Sequence, residues 1–274
     1  MKPQYEIGVI GAGNAAEGIV HGLLRNSVLL DDRIIAADPD EGRRRLFARR
    51  FNIDVTDDNR EVVANSYILL LAVKPQIYRE VVAGFADLLR EDQVIVSIMA
   101  GVSTAALEAC FPHCKARVVR VMPNLASHVG AGMAGVCRGR WASEADLLRA
   151  QRIFDAGGKS VHIEDEDLMD AVTAVSGTGP AYYYFFTEAI VAAAQRIGLS
   201  RQYADLLAKQ TCLGAARMML ESGEPPATLR EKVTSPGGTT AAAMASLAEN
   251  RVFDDIVEAV VAAFERSRQL GAQP

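Results

Sequence analysis

Apolar residues in the first part of the chain fall in short, nearly unbroken runs separated by helical periods. Tyr5–Ile10 is such a run, as expected of a parallel strand covered on both faces. It stops at Gly11-Ala12-Gly13, and Ala16, Ile19, Val20, Leu23 and Leu24 then recur at helical spacing. The same rhythm predicts strands at residues 33–37, 53–55, 67–73, 94–98 and 117–121, with further ones at 130–136 and 161–163. Residues 1–163 are therefore expected to form a doubly wound α/β domain of the Rossmann type, with a mainly parallel sheet. From Glu164 the pattern changes. No strand candidate follows, only helical periods cut by glycine and proline, so residues 164–274 are expected to be all-α. Several of these helices are apolar on more than one face, which predicts burial against a second subunit.

The first strand, the turn and the helix after it spell G-x-G-x-x-A, the dinucleotide-binding fingerprint. Gly11 permits the tight turn, Gly13 lets the backbone approach a pyrophosphate, and Ala16 is small enough for close helix–strand packing. Free amides and the positive end of the helix dipole face the phosphates. The second strand ends at Asp38, 22 positions beyond Ala16, near the usual offset of the ribose-binding acid. An acid there favours NADH. Arg43, Arg44 and Arg45 follow, however, and an arginine can hold a 2′-phosphate or equally belong to a solvated helix face. The pattern leaves NADH and NADPH both open.

Three later strands end in loops carrying proline or glycine beside polar groups: Lys74-Pro75-Gln76, Met99-Ala100-Gly101-Val102-Ser103 and Met122-Pro123-Asn124. In an open parallel sheet, ligands bind outside the carboxyl ends of the strands, so these loops are expected to line one crevice.

Composition narrows the classes. The chain has 274 residues, 50% hydrophobic and 23% charged, with a net charge of −5 that offers no footprint for nucleic acid. No apolar run approaches the ~20 residues of a membrane span. A strand begins almost at once, leaving no room for a signal peptide, and the four cysteines make no disulfide framework. A cytoplasmic protein is expected. Cys110, His113 and Cys114 lie close together, but no second ligand pair with zinc-like spacing follows, so no metal is expected.

Two segments of the helical half carry candidate chemistry. In Thr234-Ser235-Pro236-Gly237-Gly238-Thr239-Thr240, two glycines after a proline let successive amides point into one space, a nest for an anion. Ser235, Thr239 and Thr240 add hydroxyls, and Thr240 is expected to open a helix. Such a site fits a small carboxylate. Ser176-Gly177-Thr178-Gly179-Pro180 is expected to interrupt a helix that restarts at Pro180. The stretch 164–195 holds no lysine. Hydroxyacid dehydrogenases of the 6-phosphogluconate type place their proton donor there, so a substrate that already carries a basic nitrogen is the better fit.

Over essentially its full length the chain resembles the pyrroline-5-carboxylate reductase family. The motifs IGVIGAGNAAEGI, LLAVKPQ, SIMAGVS, RVMPN, DAVTAVSGTGPAY and VTSPGGTT occur in the family's order. The resemblance implies a Rossmann domain followed by a helical domain that dimerises by interlocking helices, with dimers gathered into decamers. It implies reduction of (S)-1-pyrroline-5-carboxylate to L-proline by NADH or NADPH. Under it, Ile10, Gly11, Ala12, Gly13, Asn14 and Ala15 would hold the pyrophosphate, and Asn59 would contact the nucleotide side. Ala72, Val73, Lys74, Pro75, Ala100, Gly101 and Asn124 would lie along the nicotinamide. Ser235, Gly237, Gly238 and Thr239 would bind the substrate carboxylate, and Thr240 the ring nitrogen. The chain departs from the family pattern at Ala15 (commonly Met), at Leu125-Ala126 (commonly Thr-Pro) and at Asp38, where NADPH-preferring members carry a polar or basic residue.

Overall fold

A computed structural model describes residues 3–271. Contacts divide it into two compact units, residues 1–179 with 263–274, and residues 180–262. The division falls beyond the 163/164 limit read from composition, because residues 164–179 pack with the sheet domain. The chain ends at 1–2 and 272–274 lie outside the described residues.

The first unit is built on eight strands: β1 (Tyr5–Ile10), β2 (Ile34–Ala37), β3 (Asp54–Thr56), β4 (Ser66–Leu71), β5 (Val94–Ser97), β6 (Arg117–Met122), β7 (Gly132–Arg138) and β8 (Gly158–His162). Between them run α1 (Asn14–Arg25), α2 (Glu41–Phe51), α3 (Asn59–Asn65), α4 (Tyr78–Ala83), α5 (Thr104–Glu108) and α6 (Glu144–Asp155). The sheet order is β3-β2-β1-β4-β5-β6-β7-β8, parallel except where β7 runs against β6. The chain leaves β1 toward β2 and β3, then returns to build outward from β4. That reversal beside β1 is the switch point where such sheets bind ligands.

Both sheet faces are covered, which explains the unbroken apolar runs. Ile19, Val20 and Leu23 of α1, Phe47 and Phe51 of α2, and Leu147 and Phe154 of α6 pack on one face. Val62 and Val63 of α3, Tyr78 and Val82 of α4, and Leu107 of α5 pack on the other. A buried polar cluster ties later segments to this core. Arg120 of β6 pairs with Glu166 at 3.2 Å and lies 3.7 Å from Asp170. Glu166 accepts from Thr104 N at 2.8 Å, and Asp170 from Ser267 Oγ at 2.6 Å.

After α7 (Met169–Val172) comes a π-helical turn over Thr173–Gly177, and α8 (Gly179–Arg196) follows. The break expected at 176–180 is thus a one-turn widening. Pro180 has no N–H to give to Ser176 O, and Asn124 Nδ2 donates to that carbonyl instead, at 3.0 Å.

Among the described residues, the second unit holds most of α8, then α9 (Arg201–Ser222), α10 (Pro226–Lys232), α11 (Thr239–Glu249) and the start of α12 (Val252–Gly271). Its own core is small, built on Val191, Ala204 and Ala208. Large apolar side chains face outward instead, among them Phe185 (71% exposed) and Phe253 (73% exposed). No helix among the described residues is long and apolar enough to cross a membrane.

Candidate active site

The carboxyl ends of the central strands are stitched into one row. Gly11 N donates to Ala37 O at 2.8 Å, Ala72 N to Ile10 O at 2.9 Å, and Ile98 N to Leu71 O at 3.1 Å. The structure therefore brings together the turn of residues 10–15, the end of β2 at Asp38 and the loop of residues 72–75. Gly11 has φ +97°, and a Cβ there would lie 2.9 Å from the carbonyl of Ala72. Only glycine fits. Gly13 is different: its φ of −76° suits any residue, yet beyond its chain neighbours nothing lies within 4 Å of the Cβ position. That open space stands at the N-terminus of α1, whose cap lacks a side-chain hydrogen bond. Unpaired amides beside a space without side chains are what a pyrophosphate requires. The residues present fit a dinucleotide.

Asp38 is held at both oxygens. Oδ2 accepts from Ala12 N at 2.8 Å and Oδ1 from Asp40 N at 2.9 Å. Each oxygen keeps a further lone pair for a ribose hydroxyl. The three arginines after it are engaged. Arg43 Nε donates to Ala12 O at 2.6 Å and its terminal nitrogen to Glu17 at 2.9 Å. Arg44 donates to Asp38 O and Pro39 O, and Arg45 pairs with Glu41.

Lys74 is exposed and, among the described residues, has no ion pair. Asn59 is half-buried in the first position of α3, after the cap Asp58. Ala100 and Gly101 border a cavity of about 230 Å³ that also touches Pro75 and Arg79. Gly101, at φ +74°, packs against the backbone of Gly271. Asn124 has structural work of its own: besides holding Ser176 O, its Oδ1 accepts from Ala126 N and Met133 N, both at 3.2 Å. One N–H remains for a ligand.

In the second unit the Thr234–Thr240 segment links α10 to α11. Gly237 has φ +71°, and Gly238 N donates to Ser235 O at 3.0 Å, closing a tight turn. The helix opens at Thr239 rather than Thr240, with Gly238 as its cap and no side chain on the free amides. Among the described residues the hydroxyls of Ser235, Thr239 and Thr240 make no intrachain hydrogen bond. Three free hydroxyls beside an uncapped helix start can receive a carboxylate.

Sequence reasoning missed two contacts with the fingerprint helix. Glu17, its first-turn acid, pairs with Arg43 and Arg50. An acid so placed, with an arginine run after the next strand, was the available signal. His128 Nε2 donates to Asn14 O at 3.0 Å across 114 residues, and nothing local announces that. Burial pushes the Cys110 and Cys114 thiols up, and Cys137 to about 11. No cluster of metal-binding side chains occurs among the described residues.

Comparison with known proteins decides the family. A family model for pyrroline-5-carboxylate reductase dimerisation matches residues 166–270, and one for NADP oxidoreductase, coenzyme F420-dependent, matches residues 6–101. A pyrroline-5-carboxylate reductase of Pseudomonas aeruginosa is 42% identical over 268 residues, 97% of each chain. The chain belongs to the pyrroline-5-carboxylate reductase family. A solved reductase of this name from Coxiella burnetii superposes with a TM-score of 0.91 at 34% identity, covering 98% of this chain and 100% of that one. A pyrroline carboxylate reductase from Plasmodium falciparum, solved with NADP bound, gives 0.88 at 29% identity over 99% and 100%. As a member of the family, the chain is a nicotinamide-dependent oxidoreductase with a self-associating helical domain.

Proposed function

We propose that this chain reduces (S)-1-pyrroline-5-carboxylate to L-proline, the last step of proline biosynthesis, in the cytoplasm. The observation that carries the reading is the presence in one chain of an uncapped, side-chain-free fingerprint turn and of a second uncapped helix start bearing three free hydroxyls. Residues 10–15 hold the pyrophosphate, Asp38 the ribose and Asn59 the nucleotide side. Ala72–Pro75, Ala100, Gly101 and the remaining N–H of Asn124 border the nicotinamide, which supplies the hydride when bound. Ser235, Gly237, Gly238 and Thr239 hold the substrate carboxylate by hydroxyls and backbone amides.

Thr240 orients the ring nitrogen. In the iminium form that nitrogen carries a proton, which Thr240 Oγ1 accepts in a hydrogen bond. The C=N carbon takes the hydride while its π pair moves onto nitrogen. The secondary amine that results keeps its proton and gains another from solvent. No strong acid is needed, because the electrophile arrives already charged. Positioning supplies most of the rate.

We assign NADH as the preferred donor. Asp38, fixed by two backbone amides, repels a 2′-phosphate, and the neighbouring arginines are occupied. Purified protein should oxidise NADH with pyrroline-5-carboxylate and not with small 3-oxoacids. No turnover of the pyrroline with either nucleotide would overturn the reading. In the same assay Asp38→Ser should raise the NADPH-to-NADH ratio of kcat/KM about tenfold, ~1.4 kcal/mol. An unchanged ratio would remove Asp38 from the ribose.

The helical unit, with its outward apolar side chains, is proposed to form the dimer, and dimers to gather into decamers as the family resemblance implies. Sedimentation velocity should find no monomer at micromolar concentration, and a stable monomer would overturn the dimer.

A further inference from the structure

The acid and base groups around Ala12 form a closed set that bears on the choice of nucleotide. Ala12 is bracketed: its N–H goes to Asp38 and its carbonyl receives Arg43 Nε. The Arg43 guanidinium therefore lies one peptide unit from the carboxylate that meets the ribose, where a 2′-phosphate would seek a cation. It is not free to turn. Its terminal nitrogen is committed to Glu17 at 2.9 Å, and the group also stands over the Phe47 ring at 5.7 Å. Arg50 approaches the same carboxylate from the other end of α2 and stands over Phe51 at 5.4 Å.

We propose that Glu17 is a specificity-determining residue, which by pairing with Arg43 and Arg50 withholds the guanidinium that would otherwise bind the 2′-phosphate of NADPH. The Glu17 side chain is only 11% exposed, whereas Arg43 is 28% exposed. A carboxylate that poorly hydrated depends on its two partners, since losing one leaves buried charge uncompensated. Recruiting Arg43 to a phosphate thus carries a penalty that NADH binding does not. Arg44 is turned to the carbonyls of Asp38 and Pro39 through Nη1, and its Nη2 lies 3.8 Å from Asp57. The assignment rests on the dinucleotide reading of residues 10–15 and Asp38, and adds a second determinant on a different element.

The test is fluorescence titration of NADH and NADPH without substrate, with 2′,5′-ADP against ADP as competitors to isolate the phosphate. Glu17→Gln keeps the side chain's size and removes its charge. It should tighten NADPH relative to NADH by about tenfold and tighten 2′,5′-ADP relative to ADP in step. Adding Arg43→Ala to that variant should erase the gain. Arg43→Ala alone should leave the NADPH-to-NADH ratio at the wild-type value. The proposal is overturned by an unmoved ratio in Glu17→Gln, by a gain that survives loss of Arg43, or by a selective loss of NADPH affinity in Arg43→Ala. A wild-type preference for NADPH would instead count against the NADH assignment, and the Glu17 proposal is judged on the change in ratio between variant and wild type.

Discussion

Replacing Thr240 by alanine should lower turnover of pyrroline-5-carboxylate about 100-fold, at the low end for a positioned proton-handling group, while NADH and NADPH bind as before. Thr240 is half-buried in the first turn of α11, and its hydroxyl has no intrachain partner among the described residues. A hydroxyl in that setting is free to meet a ligand. Its chemistry suits a nitrogen whose hydrogen bonding changes during the reaction. In the proposed role it would accept from the iminium N–H at the start and could donate to the lone pair that hydride addition creates. Thr240→Val preserves shape and removes only this exchange, so it should be as slow as the alanine variant. Thr240→Ser keeps the hydroxyl and should recover most of the rate. The readouts are kcat and substrate KM beside nucleotide affinity by fluorescence titration. Equal loss of nucleotide affinity in all three variants would show that Thr240 serves the cofactor.

The central strands were legible because they are covered on both faces, so burial wrote itself into the chain as nearly unbroken apolar runs, whereas the edge strands β3 and β8 are partly exposed. Residues 67–73 were expected as a strand, and β4 occupies Ser66–Leu71. The antiparallel run of β7 against β6 has no local signature; only pairing fixes it. The region 176–180 shows the limit most clearly. A proline in a helical period announces one missing N–H, but how the chain responds depends on who takes the orphaned carbonyl. Here Asn124, 52 residues earlier, takes Ser176 O, and the helix widens by one π turn instead of ending. The same reason kept the nucleotide question open in the sequence. Arg43 looked available because its partner Glu17 lies 26 positions away on another helix. The glycine and threonine turns, by contrast, are local devices, and local devices can be read from spacing.

Gly13→Val should give a folded protein that has lost at least about 100-fold in affinity for both nucleotides, ~2.7 kcal/mol. The variant separates ligand from fold because of what surrounds this glycine. At φ −76° and ψ −179° a valine backbone is unstrained, and beyond its own residue and chain neighbours no protein atom lies within 4 Å of the new Cβ. Valine is a poorer helix cap than glycine, which should cost stability only about 1 kcal/mol. The space it fills is the one beside the free amides of α1, so the two added methyls would stand where the pyrophosphate approaches. Gly11 could not serve for this experiment. At φ +97°, with the Ala72 carbonyl 2.9 Å from its Cβ position, any substitution there injures the strand–turn junction itself. The measurements are thermal unfolding and nucleotide titration on one preparation. Near wild-type affinity in a folded Gly13→Val protein would mean that the phosphates do not approach this amide. The fingerprint turn would then be a structural device, and the hydride donor would have to be held elsewhere along the carboxyl edge of the sheet.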